Sequence, residues 1–510
     1  CASAARADDG NENSNRCSID SIAIPANATI VSARSFEQPV SYCRLDGYVT
    51  TTDPGPNRVN FMLALPNNHN GRYVFTVQGG AAGYVPDPEV VQLRQGYAIA
   101  STDKGTRPAN ILDFSWRQDP VQSLDWAHRG VHVVALATQA MTRDYYGIQN
   151  LSRFAMGCSG GGDGTLSNAE LYPQDFDGYI GAAMTTSNLE INHFWGAIAQ
   201  RINRNPSAWI SEEEFGRIHQ ALLAEYDDAD GARDGLIWRP ELIRLDSALF
   251  PFLNREQYGT LELIGAGLTP EQGTSYPGFW LANVTAMPGF LTGKTRPPWE
   301  QISDYPNGFM VTATGAMGVN GPEYDILKEL DYSDRAQLIA DRNEQAKLGR
   351  HNFDPSRLAG LKSRGGKLIL WSGMADQAIP PGNIIEYSRK LTKIFGREGR
   401  EDFQRTFLVP GLHHCATGEN APTDVPDQLL EAMAQWVEND IAPQQVIVTN
   451  VVRGSGDIVT GDGRGDFVEG SNTRSYRLCS YPDVPMYKAK AARTEKAEYN
   501  NASEWQCVSQ

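Results

Sequence analysis

The pentapeptide Gly157-Cys158-Ser159-Gly160-Gly161 has the G-x-S-x-G spacing. It follows a strand expected over 151–156 and precedes a helical stretch that runs through Leu171. In that setting the pattern places a serine on a strained strand-to-helix turn, with its hydroxyl exposed beside a helix N-terminus. Small flanking residues are needed because the tight turn leaves no room for a Cβ. A Gly-rich turn alone could be a phosphate-type or structural loop. Against that, the P-loop Lys-Ser/Thr is absent, and no G-x-G-x-x-G precedes a suitable acidic residue.

A serine hydroxyl is a poor nucleophile without a base, and the base needs an orienting acid. Asp376 stands in a loop just after a strand expected over 367–371, and His414 just after one expected over 406–409. Open α/β sheets build their sites at such strand ends. The order Ser159, Asp376, His414 is the order used in α/β hydrolases. Alone, the aspartate reads as a turn former and the histidine as structural; the joint placement makes the case. Backbone N–H groups able to hold an oxyanion are expected from Gly160 and from the loop Val77-Gln78-Gly79-Gly80-Ala81-Ala82-Gly83. Gly80 is favoured there and Ala81 is the alternative; the bland reading is a flexible glycine turn.

A second cluster runs from Asp227 to Ile237, with carboxylates at 227, 228, 230 and 234 and glycines at 231 and 235. Such a loop can wrap a hard cation in oxygen ligands. Read as an EF-hand from Asp230 to Glu241, it lacks an acid at Ala232 and is broken by Pro240, so it is not a standard one. The alternative is a solvated acidic turn.

The elements that must position these residues alternate. Strands are expected over 59–65, 73–77 and 97–101, a helix over 125–145, and then the strand and helix around Ser159. From about 187 to 360 the alternation is lost in an aromatic-rich stretch. It resumes with strands over 367–371 and 406–409 and helices over 384–394 and 428–437. The economical arrangement is an α/β-hydrolase fold with a large inserted lid. It divides as a disordered tail 1–16, a core first part 17–186, a lid 187–360, and a core second part with C-terminal tail 361–510.

The 510 residues exceed one simple core, and 41% hydrophobic with 21% charged residues is ordinary for a globular chain. No apolar run reaches membrane-spanning length. The net charge of -16 argues against a nucleic-acid or anionic-membrane surface, which needs clustered Lys and Arg. The numbering starts without an apolar leader, as if after a removed signal. Of seven cysteines, Cys17 and Cys43 flank one N-terminal segment, Cys479 and Cys507 flank the tail, and Cys158 and Cys415 each adjoin a candidate catalytic residue. Three such pairs imply an oxidising compartment; reduced, buried thiols are the alternative. Cys1, before a polar tail, resembles the acylated first residue of a bacterial lipoprotein, and a cleavage accident accounts for it equally well. The sequons at Asn27, Asn150, Asn283 and Asn501 matter only in a eukaryotic secretory host.

Taken together, Cys158-Ser159, Asp376 and His414-Cys415 resemble the mark of the tannase and feruloyl esterase family, which includes the mono(2-hydroxyethyl) terephthalate hydrolases. Further similar stretches are Ser101-Thr102-Asp103-Lys104-Gly105, Asp125-Trp126-Ala127 with His132, Asp144-Tyr145-Tyr146-Gly147, the run from Tyr172 to Gly178, and residues 366–381. The resemblance spans about 17 to 507. It implies disulfides Cys158–Cys415, Cys17–Cys43 and Cys479–Cys507. It implies a structural calcium ion in the lid, held by the Asp227, Asp230 and Asp234 side chains and the Ala232 and Leu236 carbonyls. It also implies that the lid forms an aromatic acyl pocket.

There are departures. Asp163 stands where the family usually has a basic residue, and His413 where a small residue is common, which makes His413 a rival base. Tyr226 stands where a cysteine usually precedes the calcium loop. The expected protein is a secreted, periplasmic or cell-surface serine esterase acting on small aromatic esters of feruloyl, galloyl or terephthaloyl type, with no nucleic-acid partner. The alternative is a catalytically silent, calcium-stabilised binding module on the same fold.

Overall fold

The computed structural model describes residues 17–269, 275–340, 353–415, 418, 421–452, 467–488 and 499–509. The expected tail 1–16, with Cys1, lies outside the described residues. The strands in chain order begin with β1 (Ala28–Phe36), β2 (Tyr42–Thr51), β3 (Asn57–Pro66), β4 (Arg72–Val77), β5 (Ala98–Thr102), β6 (Ser152–Cys158) and β7 (Gly178–Ala182). After a short pair, β8 (Gly267–Leu268) and β9 (Tyr276–Pro277), come β10 (Lys367–Gly373) and β11 (Gln404–Val409). Nine of these form one sheet in the order β1-β2-β3-β5-β4-β6-β7-β10-β11. The first four in that order pair antiparallel, and every pairing from β5 through β11 is parallel.

The central strands are apolar on both faces, as a covered parallel sheet requires. In β4, Tyr73, Phe75 and Val77 enter one hydrophobic cluster and Val74 the other. In β10, Leu368 and Leu370 face the first cluster while Ile369 and Trp371 face the second. This is the two-residue period of a pleated strand. The helices Gly130–Tyr146 and Gly382–Glu401 cover the first face, and Val425–Asn439 covers the second.

Between β7 and β10 no strand among the described residues joins this sheet. Helices Asn188–Arg204, Glu212–Tyr226, Arg255–Ala266 and Asn307–Asn320 build a separate cluster around Phe194, Trp195, Phe215 and Phe279. The strands expected from sequence form within a residue or two of their expected limits. The helix expected over 125–145 divides: Asp125–Arg129 is a wide π-type turn and Gly130–Tyr146 is the helix proper. Buried Asp125 holds that turn by accepting the Arg129 Nε–H at 2.6 Å. The C-terminal strands β12 (Gln445–Thr449), β13 (Ser475–Cys479), β14 (Val484–Tyr487) and β15 (Trp505–Val508) pair separately as β12–β13 and β14–β15. Among the described residues, no helix is long and apolar enough to cross a membrane.

Candidate active site

Four loops converge because they all leave the carboxyl ends of parallel strands. Gly79 and Gly80 follow β4, Ser159 follows β6, Asp376 follows β10 and His414 follows β11. Ser159 has φ 58° and ψ -128°, a strained conformation for a residue with a Cβ; holding it costs on the order of 1–3 kcal/mol. The turn survives because its neighbours are glycines: a Cβ on Gly161 would lie 2.1 Å from the Val77 carbonyl oxygen. The Ser159 N–H donates to the Ala182 carbonyl of β7, which ties the turn to the sheet. Helix Gly160–Leu171 begins immediately after it.

Asp376 is fully buried. Its Oδ1 accepts the Ala378 and Ile379 N–H groups at 2.8 Å each. Its Oδ2 lies 2.8 Å from His414 Nδ1. The carboxylate therefore selects the tautomer protonated at Nδ1, which leaves the Nε2 lone pair for another partner. The His414 N–H donates to Gln377 Oε1 at 3.1 Å, so the residue after the acid also holds the histidine loop. Sequence reasoning overlooked Gln377; its only signal is adjacency to Asp376. His413, the rival base, is half-buried; its Nε2 has no hydrogen-bond partner among the described residues, and burial lowers its pKa. It is the His414 imidazole, not the His413 one, that meets the Asp376 carboxylate.

Cys158 and Cys415 are bonded. One ring nitrogen of His414 and the two sulfurs lie within 4.8 Å of one another, so the imidazole stands beside the serine turn. Cys17–Cys43 and Cys479–Cys507 are the other two disulfides. All three pairings agree with those the resemblance implied.

Ser159 and His414 line a cavity of about 250 Å³. Its walls include Phe114, Trp126, Trp195, Phe290 and Trp371, with polar groups from Asp163, Asn188 and Asn192. Trp195, from the helical segment, donates its indole N–H to the Ala378 carbonyl at 3.1 Å and so fastens that segment to the acid loop. Gly80 and Gly160 both line the cavity too. The alternative donor Ala81 is excluded, because its N–H is taken by the Ile111 carbonyl at 2.8 Å. Gly80 has φ 52°, and a Cβ there would meet the Ile111 side chain and carbonyl at 2.6 Å.

Asp163 is buried, accepting from the Thr185 N–H at 2.8 Å and from its hydroxyl. Burial pushes its pKa up to about 6, while the nearby Lys104 charge draws it down. The negative charge at the position noted as a departure is thus faced by a positive one from the loop after β5.

The acidic loop lies against the C-terminal strands. Trp238 stacks on Trp505 at 4.4 Å, and the Tyr487 N–H donates to the Asp230 carbonyl at 3.0 Å. Asp227 Oδ1 accepts the Asp234 and Gly235 N–H groups at 3.2 and 3.1 Å. Asp234 accepts from the Leu236 N–H, the Trp238 indole and the Arg474 guanidinium. Asp230 Oδ1 accepts the Ala232 N–H, but its buried Oδ2 has no partner among the described residues. Burial, and then the charges of Asp234 and Asp227, push the Asp230 pKa up to about 8. An orphaned buried carboxylate oxygen beside two further carboxylates suits a hard cation. The oxygens of the three side chains do not all lie within 4.8 Å of one another, and Arg474 supplies part of the compensating charge.

The family model for tannase and feruloyl esterase matches residues 43–258 and 323–507. A probable feruloyl esterase B-1 of Aspergillus oryzae is 25% identical over 500 residues, covering 92% of this chain and 85% of that protein. One from Aspergillus terreus is 24% identical over 511 residues, covering 96% and 90%. Among solved structures, feruloyl esterase B from Aspergillus oryzae superposes with a TM-score of 0.79 at 21% identity, over 97% of this chain and 99% of that one. Tannin acyl hydrolase from Aspergillus niger gives 0.71 at 19% identity, over 96% and 92%. At those identities the structural likeness speaks for the fold.

Proposed function

The chain belongs to the tannase and feruloyl esterase family, and from that premise we propose that it is a serine hydrolase of carboxylic esters of aromatic acids. The observation that carries the reading is the bond from His414 Nδ1 to the buried Asp376 carboxylate, in a cavity that Ser159 also lines. The relatives named as feruloyl esterases and the tannin acyl hydrolase support the aromatic acyl group. So does the aromatic wall of the cavity, which suits a planar ring.

In this mechanism the Ser159 hydroxyl attacks the ester carbonyl carbon while His414 Nε2 takes its proton. The carbonyl oxygen becomes an oxyanion held by the Gly160 and Gly80 N–H groups. His414 returns the proton to the leaving alcohol as the acyl-enzyme forms. Water, deprotonated by the same imidazole, then attacks the acyl carbon, and His414 returns that proton to the departing Ser159 Oγ as the acid is released. Asp376 holds the ring and stabilises its charge throughout.

The calcium ion is proposed to be structural. Asp227, Asp230 and Asp234 with the Ala232 and Leu236 carbonyls would hold it, and the unpartnered Oδ2 of Asp230 supports it. The ion would neutralise crowded carboxylates between the helical segment and the C-terminal strands. Three disulfides support a working place outside a reducing cytosol.

The deciding experiment measures turnover of p-nitrophenyl acetate, methyl ferulate, methyl gallate and mono(2-hydroxyethyl) terephthalate, with and without Ser159→Ala. Turnover by the wild type that Ser159→Ala abolishes is expected. Full activity in the variant would refute the nucleophile, and an inert wild type that also resists a fluorophosphonate would favour the silent binding module.

A further inference from the structure

The mechanism above leaves one buried charge without a task. Lys104 has no exposed surface, and its Nζ donates to the Gly160 carbonyl at 3.1 Å. The same ammonium stands 4.1 Å from the centre of the Trp126 ring. Trp126 in turn donates its indole N–H to the Gly80 carbonyl at 2.9 Å. Two touching side chains therefore grip, by their carbonyl oxygens, the two glycines whose N–H groups face the reacting carbonyl in the proposed mechanism.

We propose that Lys104 and Trp126 form a clamp that positions the oxyanion hole, with Lys104 fixing the Gly160 carbonyl and Trp126 fixing that of Gly80. The inference rests on the reading of Ser159 as nucleophile. Its physical reason is the freedom of glycine. Each gripped carbonyl and the N–H it is meant to steady belong to successive peptides joined at one glycine Cα, where no Cβ restricts how they turn against each other. Gly80 lies in a loop, and Gly160 stands at the first position of a helix. An oxyanion hole works only if its dipoles already point at the developing charge. A hydrogen bond to each carbonyl removes the freedom that would spoil that aim.

Stability does not explain the ammonium. Burying a charge is unfavourable unless it is compensated, and a methionine would fill the same space without that penalty. Burial indeed draws the Lys104 pKa down to about 7, with Asp163 opposing the shift. The Trp126 face and the Asp163 charge offset part of the penalty. What the lysine supplies and a methionine would not is a side-chain donor for the Gly160 oxygen, one residue from the nucleophile.

The test compares wild type, Lys104→Met, Trp126→Phe and Ser159→Ala on p-nitrophenyl acetate, together with the rate of phosphonylation by a fluorophosphonate. Phosphonylation needs the same hole to polarise the P=O bond. Lys104→Met is expected to lower kcat about 100-fold, with KM within a factor of about three and phosphonylation slowed in parallel. Trp126→Phe, which keeps the ring and loses the donor, is expected to lower kcat about tenfold in the same pattern. If Lys104→Met fails to fold, Trp126→Phe alone decides. Wild-type kcat in the folded variants, or a change confined to KM, overturns the clamp. So does a kcat loss with unchanged phosphonylation. Retained activity in Ser159→Ala would instead overturn the reading on which the clamp rests.

Discussion

Cys158 is bonded to Cys415, so the residue before the proposed nucleophile and the residue after the proposed base are one covalent unit across 257 positions of chain. The serine turn and the histidine loop come from different strands, β6 and β11, separated in the sheet by β7 and β10. The disulfide fixes their spacing where the sheet alone would leave it to two loops.

Removing that bond should therefore act on stability and turnover together. By loop-closure entropy, a crosslink over 257 residues contributes about 5.5 kcal/mol, and one over 28 residues about 3.5 kcal/mol. Cys158→Ala/Cys415→Ala is expected to lose stability and kcat, whereas Cys479→Ala/Cys507→Ala should lose stability with kcat nearly intact. Denaturant midpoints and steady-state kinetics read the contrast. An unchanged kcat in the first pair would show that the sheet alone sets the spacing.

Asp376→Asn should leave the fold unaltered while lowering kcat by roughly 10⁴. The amide cannot hold the Nδ1–H tautomer as the carboxylate does, so the ring loses its free Nε2 lone pair. Circular dichroism and kcat on p-nitrophenyl acetate separate a folding defect from a catalytic one. A variant within tenfold of wild type would assign the orienting acid elsewhere.

Gly80→Ala tests the oxyanion loop directly. Its Cβ would meet a backbone oxygen, Ile111 O, at 2.6 Å, and that atom cannot swing aside as a flexible side chain could. The turn must shift, and the aim of the Gly80 N–H shifts with it. A kcat loss of about 100-fold with KM within a factor of about three is expected. A pure KM effect would mean that this loop shapes the pocket only.

Calcium removal should be read in thermal denaturation. At a hundredfold excess over Kd, a bound ion stabilises by about 2.7 kcal/mol. EGTA is therefore expected to lower the unfolding midpoint, with recovery on adding Ca²⁺. Asp230→Asn should abolish that response without changing kcat. A midpoint indifferent to EGTA would mean that side-chain charges alone, Arg474 on Asp234 and Arg233 on Asp228, compensate the loop.

The parts of the site legible in sequence are those encoded locally. Ser159, Asp376 and His414 each follow an apolar run that is its own strand signal, and strand ends are where such folds place chemistry. His413 stood as a rival because adjacent residues share most signals; the His414-Cys415 pair of the family resemblance favoured His414, and the path of the loop brings that ring to Asp376. The grip of Lys104 on Gly160 spans 56 positions and that of Trp126 on Gly80 spans 46; each ends on a carbonyl, which leaves no trace in residue types. The Asp234–Arg474 pair joins segments 240 positions apart, so charge patterning along the chain could not reveal it. The division of the 125–145 helix was hidden for a related reason: its apolar period is helical throughout, and the wide turn is set by the Asp125–Arg129 contact.

The buried lysine also makes a statement about pH. Its native pKa lies near 7, below its ordinary 10.5, because burial disfavours the charge. Between those values the unfolded chain holds a proton that the native chain has released, so native stability rises with pH across that window. Below it both states are protonated and the gain is absent. Asp163 moves the opposite way. It is pushed up to about 6 from 3.8, so its contribution to stability falls as pH climbs from the lower value to the higher. In Lys104→Met the first effect vanishes. The second extends to higher pH, because the ammonium that drew Asp163 down is gone. Both changes have one sign: relative to Lys104→Met, the wild type should gain stability from about pH 6 to about pH 9. Urea midpoints of the two proteins measured at both ends of that range provide the check. A gap that stays constant, or narrows toward alkaline pH, would mean that Lys104 keeps its proton in the native state throughout.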